Sequence, residues 1–147
     1  MTRIVPAGRL PLFDFLIDFR NERFFGPTIR SCRVEKFASG DQGIGEGTEF
    51  WFEYKILGLV LATKFRIEDV VPGRRFLIRS VRRGIPFLMR YRFEDADSHC
   101  RLTVGTTLLD RTWLRWLRWP VESAVRRGMN AYMDSLVKYA QATRLAS

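Results

Sequence analysis

The chain has 147 residues, enough for one domain spanning 1–147 that buries roughly 70% of its unfolded surface, and its 46% hydrophobic and 14% aromatic content rules out intrinsic disorder. Its net charge of +9, carried almost entirely by arginine, favours acidic partners such as nucleic acid, anionic lipid or an acidic ligand. The plain alternative is an arginine-rich solvated surface.

Ile4 and Val5 form a clipped first strand, stopped by Pro6 and Gly8. Leu12, Phe13, Leu16 and Ile17 then recur at helical spacing, and Arg20 to Phe25 reads as a second short helix closed by Gly26-Pro27. Strand character begins at Ile29 and runs to Phe37. After the turn-rich stretch Ser39 to Gly47, Thr48, Phe50, Phe52 and Tyr54 alternate with Glu49, Trp51, Glu53 and Lys55. Beyond Gly58, Leu61, Thr63, Phe65 and Ile67 share a face. Val71-Pro72-Gly73-Arg74 turns the chain into a strand with Phe76, Ile78 and Ser80 on one side. Arg83-Gly84 leads to Phe87, Met89, Tyr91 and Phe93, and Asp95 to Ser98 leads to Leu102, Val104, Thr106 and Leu108. Such consecutive strands with short turns predict an antiparallel meander. From Thr112 to about Ala142 the period is helical, with Leu117, Val121, Ala124, Val125, Gly128, Met129, Tyr132, Leu136 and Ala140 in one stripe. Pro120 divides this stretch, so the main helix is expected to start there.

The order of elements resembles the helix-grip fold of the START-like superfamily, the SRPBCC or polyketide cyclase/dehydrase and lipid-transport group. Val5-Pro6-Ala7 with Leu12 to Asp18 looks like that family's opening strand and first helix. Phe25-Gly26-Pro27, Gly43 to Phe50, and Glu68 to Arg74 are similar to its turns. The resemblance spans nearly the whole chain and implies an α+β fold. A curved antiparallel sheet of about six to seven strands would wrap a long C-terminal helix, with two short helices after the first strand. It also implies a hydrophobic cavity between sheet and helix. It does not imply a reaction.

Chemistry-bearing motifs are sparse. His99 sits at a hairpin tip, where solvation is the simpler reading. Cys32 and Cys100 lack any metal or redox spacing, and no cofactor or metal is expected. The N-terminus has no apolar signal core and no stretch is long enough to span a bilayer, which favours a cytoplasmic protein with free thiols. The expected ligand-binding residues are those on the inward faces: Phe50, Phe52, Tyr54, Thr63, Phe65, Ser80, Phe87, Met89, Tyr91, Phe93, Thr106, Met129 and Tyr132, with Asp69 as a further polar candidate. Their ordinary alternative is a satisfied core. Arg74, Arg75, Arg79, Arg82, Arg83, Arg90 and Arg92 concentrate on one hairpin, as a solvated face or a phosphate-binding surface. No nucleic-acid-binding motif accompanies them, so a nucleic-acid partner is not expected. Trp113, Arg115, Trp116 and Arg118 form an amphipathic stretch that either meets an anionic membrane surface or caps the pocket mouth or fills core.

The leading expectation is therefore binding or transport of a small hydrophobic, lipid- or polyketide-like ligand. A cyclase/dehydratase-type enzyme using the same cavity is the alternative, and a basic nucleic-acid or protein-interaction module comes third. A buried tyrosine–carboxylate pair in the pocket would favour the enzyme, and a purely apolar cavity the carrier.

Overall fold

The computed structural model describes residues 1–27, 29–38, 43–56, 58–82, 86–109 and 118–143. Its elements are β1 (Thr2–Val5), α1 (Arg9–Ile17), a 3₁₀ helix (Phe19–Phe24), β2 (Ile29–Lys36), β3 (Glu49–Ile56), β4 (Leu59–Val71), β5 (Arg75–Arg82), β6 (Phe87–Ala96), β7 (His99–Leu108) and α2 (Arg118–Thr143). The strands form one antiparallel sheet in the order β1-β7-β6-β5-β4-β3-β2. From β2 to β7 each strand pairs with its neighbour in sequence. β1 returns to the far edge and pairs with β7, placing Thr2 opposite Thr103 and Val5 opposite Cys100. With α2 and the short helices after β1, this is the helix-grip architecture.

Apolar and charged residues alternate in space as they do in sequence. The cross-strand register aligns Phe50 with Phe65, Ile78 with Met89, Phe76 with Tyr91 and Phe93 with Leu102 on the inner face. The outer face carries ion pairs. There the Glu49 carboxylate lies 2.6 Å from Lys64 Nζ and accepts from the Arg66 guanidinium, and these two hydrogen bonds hold its carboxyl below the usual range. Register shifts in the β2–β3 and β4–β5 ladders add curvature, while the β3–β4 ladder between them runs unbroken. β2 slips against β3 between Ile29 and Ser31 and between Val34 and Lys36, and β4 slips against β5 between Glu68 and Val71. An extra residue on one strand bends it and increases its twist. Asp69, inside the last of these irregularities, takes φ 48°.

The core is rich in rings. Phe19 meets Phe50, Phe65, Phe76 and Tyr91 edge to face with centroids 4.9–6.0 Å apart, and Phe76 stacks on Tyr91 at 4.5 Å. Both edge-to-face and offset stacks suit the ring quadrupole. α2 buries Ala124, Tyr132, Met133, Leu136 and Ala140 against the sheet side. Met133, fully buried, belongs to this face although the sequence stripe passes it by. α2 opens at Arg118, two residues before the start expected at Pro120. Proline is tolerated there because the first-turn N–H groups have no acceptor inside the helix. The second short helix is of the 3₁₀ type, and Asp18 caps it by accepting from the Arg20 N–H.

Candidate functional site

Between the open half of the sheet and the N-terminal half of α2 lies a cavity of about 350 Å³. The sheet supplies Phe52, Tyr54 and Lys55 from β3, Phe65 from β4, Ile78 from β5, Phe87 and Met89 from β6, and Thr106 and Leu108 from β7. α2 supplies Ala124, Val125, Arg127, Gly128, Met129 and Tyr132, and the 3₁₀ helix supplies Phe19 and Glu22. Lys55, Thr106 and Arg127 are exposed, so the cavity meets solvent along this side, while Phe19, Glu22, Phe65 and Tyr132 are buried at its inner end. Gly128 keeps the α2 wall low: a Cβ there would meet nothing within 4 Å.

The 3₁₀ helix explains how a carboxyl reaches this interior. Three residues per turn place positions i and i+3 on one line. Phe19, Glu22 and Phe25 therefore all face inward, at 2%, 3% and 7% exposure. Glu22 accepts a hydrogen bond from the Tyr132 hydroxyl at 2.8 Å, across 110 residues of sequence. Burial pushes the Glu22 carboxyl up to about 8, and the Tyr132 hydrogen bond only partly pulls it back. The Tyr91 phenol is buried beside this pair; burial first, then the nearby Glu22 charge, drive both phenols well above their ordinary value. Glu22 and Tyr132 thus form a hydrogen-bonded pair at the inner end of the cavity, with Tyr91 buried behind it. A neutral carboxyl carries its own O–H, so the Glu22–Tyr132 pair can turn its protons either way.

Of the residues expected at the site, Phe52, Tyr54, Phe65, Phe87, Met89, Thr106, Met129 and Tyr132 line the cavity. The other five do not. Phe50 is fully buried against Phe19 and Phe65. Thr63 is fully buried too, and Ser80 spends its Oγ accepting from the Phe87 N–H at 2.9 Å. Tyr91 is buried and stacked on Phe76, and Phe93 packs on Phe13 and Phe76. Asp69 faces away from the cavity and pairs with Arg75 on the surface. Trp113, Arg115 and Trp116 lie outside the described residues, as does the side chain of Arg118. Among the described residues no three His, Cys, Asp or Glu side chains gather as metal ligands, and no helix is long and apolar enough to cross a membrane.

Sequence reasoning missed Glu22. The signal was its place midway between Phe19 and Phe25, legible only once the segment is read with a period of three rather than 3.6.

No protein-family model and no curated protein sequence matches the chain. Solved structures do. TTHA0849 from Thermus thermophilus superposes with a TM-score of 0.77 at 14% identity, over 97% of this chain and 95% of that one. The Zhui aromatase/cyclase from Streptomyces sp. R1128 superposes at 0.76 and 15% identity, over 96% and 91%. The chain shares the helix-grip fold of these structures. A third structure with this fold, the di-domain ARO/CYC BexL from the BE-7585A biosynthetic pathway, matches at 0.74 and 14% identity over 95% of this chain and 48% of its own length. The chain thus spans about half of that two-domain protein.

Proposed function

We propose that the cavity binds a small, mainly apolar molecule whose one hydrogen-bonding group meets Tyr132 and Glu22. The observation that carries this reading is an aromatic-walled cavity of about 350 Å³ with a single carboxyl–phenol pair at its inner end. That size lies within the range of small-molecule sites, which combine apolar walls with a few placed polar groups. A carbonyl or hydroxyl on the ligand would find the phenol as donor and the carboxyl as donor or acceptor. Two free thiols agree with a reducing compartment and hence with the cytoplasm.

The pair favours a second reading, proton-transfer chemistry of the cyclase or dehydratase type, over a passive carrier. A carboxyl with its pKa held near 8 can both take and give a proton at neutral pH. In an enolisation, the bond from hydrogen to the carbon beside a ligand carbonyl breaks. Its proton passes to the Glu22 carboxylate, and the electron pair moves into an enolate oxygen that Tyr132 hydrogen-bonds. Returning the proton to another atom restores Glu22. Aromatase/cyclase structures among those that share the fold are in keeping with this reading.

Native mass spectrometry of the protein purified from its own host tests the first reading. A retained apolar molecule, lost in Gly128→Leu, which fills the cavity from α2, is the expected result. Retention by Gly128→Leu at wild-type level would place the ligand elsewhere and overturn it. Glu22→Gln then separates the two readings: ligand retained with turnover lost supports the enzyme, and turnover unchanged removes Glu22 from the chemistry.

A further inference from the structure

A second concavity, of about 380 Å³, lies at the opposite end of the sheet, between the start of α1, the β4–β5 turn and the end of β6. Four guanidiniums, those of Arg9, Arg74, Arg75 and Arg92, surround it, together with Glu94 and Asp95. The charges do not balance. Asp95 is held by Arg9, whose Nε lies 3.0 Å from both carboxylate oxygens. Asp69 is held by Arg75. Glu94 faces Arg101 at 3.9 Å. Arg74 and Arg92 have no carboxylate partner among the described residues, which leaves the groove with two uncompensated positive charges.

Their placement costs stability. Arg75 and Arg92 stand directly opposite each other across the β5–β6 ladder. Like charges in that position repel. The ground beneath them is nevertheless rigid. The Arg9 guanidinium donates to the Gly73 carbonyl at 2.7 Å, the Phe93 N–H donates to the Arg74 carbonyl at 2.8 Å, and the Phe93 ring is buried. Gly73 holds φ +65°, and a Cβ there would meet Leu10 at 2.4 Å, so the turn and the helix start fit closely.

We propose that this groove binds the dianionic phosphate group of a small phosphate monoester, seated between Arg74, Arg75 and Arg92. A dianion matches the two unpaired charges and relieves the Arg75–Arg92 repulsion. Several phosphate oxygens can accept from planar guanidinium forks, which a point charge or a single acceptor cannot exploit. The volume exceeds that of a bare phosphate, leaving room for the organic part of the ester. The site is independent of the cavity beside Glu22: Phe87 and Asp95 lie at opposite ends of β6. It also gives a use to part of the arginine cluster on this hairpin, of which Arg79 is engaged with Glu68.

The test is a titration of the full chain with phenyl phosphate and with inorganic phosphate, followed by backbone amide shifts at Arg74, Arg75 and Phe93. Ionic strength is matched with chloride. Saturable 1:1 binding is expected, weakened about tenfold or more by Arg74→Gln and by Arg92→Gln and unchanged by Arg33→Gln on β2. Phenyl phosphate binding should fade as pH falls below the second phosphate pKa of about 6, whereas sulfate, a dianion throughout, should show no such loss. In chloride alone Arg92→Gln should melt at or above the wild-type temperature, which shows it folded and reports the relieved repulsion; added phosphate should raise the wild-type melting point more than that of the variant. Equal shifts with chloride, equal weakening by Arg33→Gln, or a lower melting point for Arg92→Gln in chloride would overturn the proposal. So would binding of single-stranded RNA or phosphatidylglycerol vesicles with no response to phosphate, since that describes an extended basic surface.

Discussion

Replacing Glu22 by glutamine keeps the shape of the side chain and removes its ionisation. The folded carboxyl titrates near 8 against an ordinary value of 4.5. Between those two values the folded state holds a proton that the unfolded state has released, so wild-type stability falls as pH rises. The contribution of the neutral form is whole below about 4.5 and is lost progressively up to about 8. At pH 7 the wild type should have given up about 3 kcal/mol relative to a side chain that never ionises, and at pH 5 about 1 kcal/mol, each as an order of magnitude. Urea unfolding of both proteins at pH 5 to 9 measures this. The stability of Glu22→Gln minus that of wild type should climb by roughly 1.4 kcal/mol per pH unit between pH 5 and 8 and then level off. The glutamine can still receive the Tyr132 hydrogen bond, so any constant offset between the two curves is expected to be small beside the slope. A difference that stays flat across this range would refute the reasoning, because it would mean Glu22 ionises in the folded protein as readily as in water.

Three other outcomes follow from the packing. Tyr132→Phe removes the donor that lowers the Glu22 pKa, so the midpoint of the stability–pH profile should move above that of the wild type. Phe76→Ala empties a site 1% exposed and stacked on Tyr91, and should cost about 3–5 kcal/mol in denaturant unfolding. Cys32, its thiol pushed up to about 12 by burial and then by Glu22 and Asp18, should resist alkylation at pH 8 in the native protein and react on unfolding; rapid native alkylation would contradict its placement.

The fold was legible because inward and outward residues alternate strictly along β3, β5 and β6. Each turn between these strands is marked by Gly, Pro or Asp. Positions of strands within the sheet were less so. Nothing in Thr2–Val5 says that it pairs with β7 rather than β2, since that choice depends on where the sheet has curled. Pocket against core was harder still. Phe50 and Phe52 share a face, yet only Phe52 reaches the cavity, because the 3₁₀ helix sets Phe19 against Phe50. Ser80 looked like a polar handle and is consumed at a strand end by the Phe87 N–H. Glu22, flanked by Asn21 and Arg23, reads as a surface residue unless the helix type is known. Alternation identifies a face; the elements that cover the face decide which part stays open.

The pairing of β1 with β7 has a consequence for how the protein comes into being on the ribosome. Thr2 meets Thr103, so the first strand to be made waits for about a hundred further residues before its partner exists. At roughly 5–20 residues per second that delay is about 5–20 s. Meanwhile β2 to β6 can assemble hairpin by hairpin, each closing a short loop, whereas docking β1 closes the longest loop in the sheet. Arg3 reaches on to Asp134 and Asn130 of α2, so the N-terminal strand and the C-terminal helix lock each other last. Until β1 docks, the β7 edge of the sheet has no partner strand.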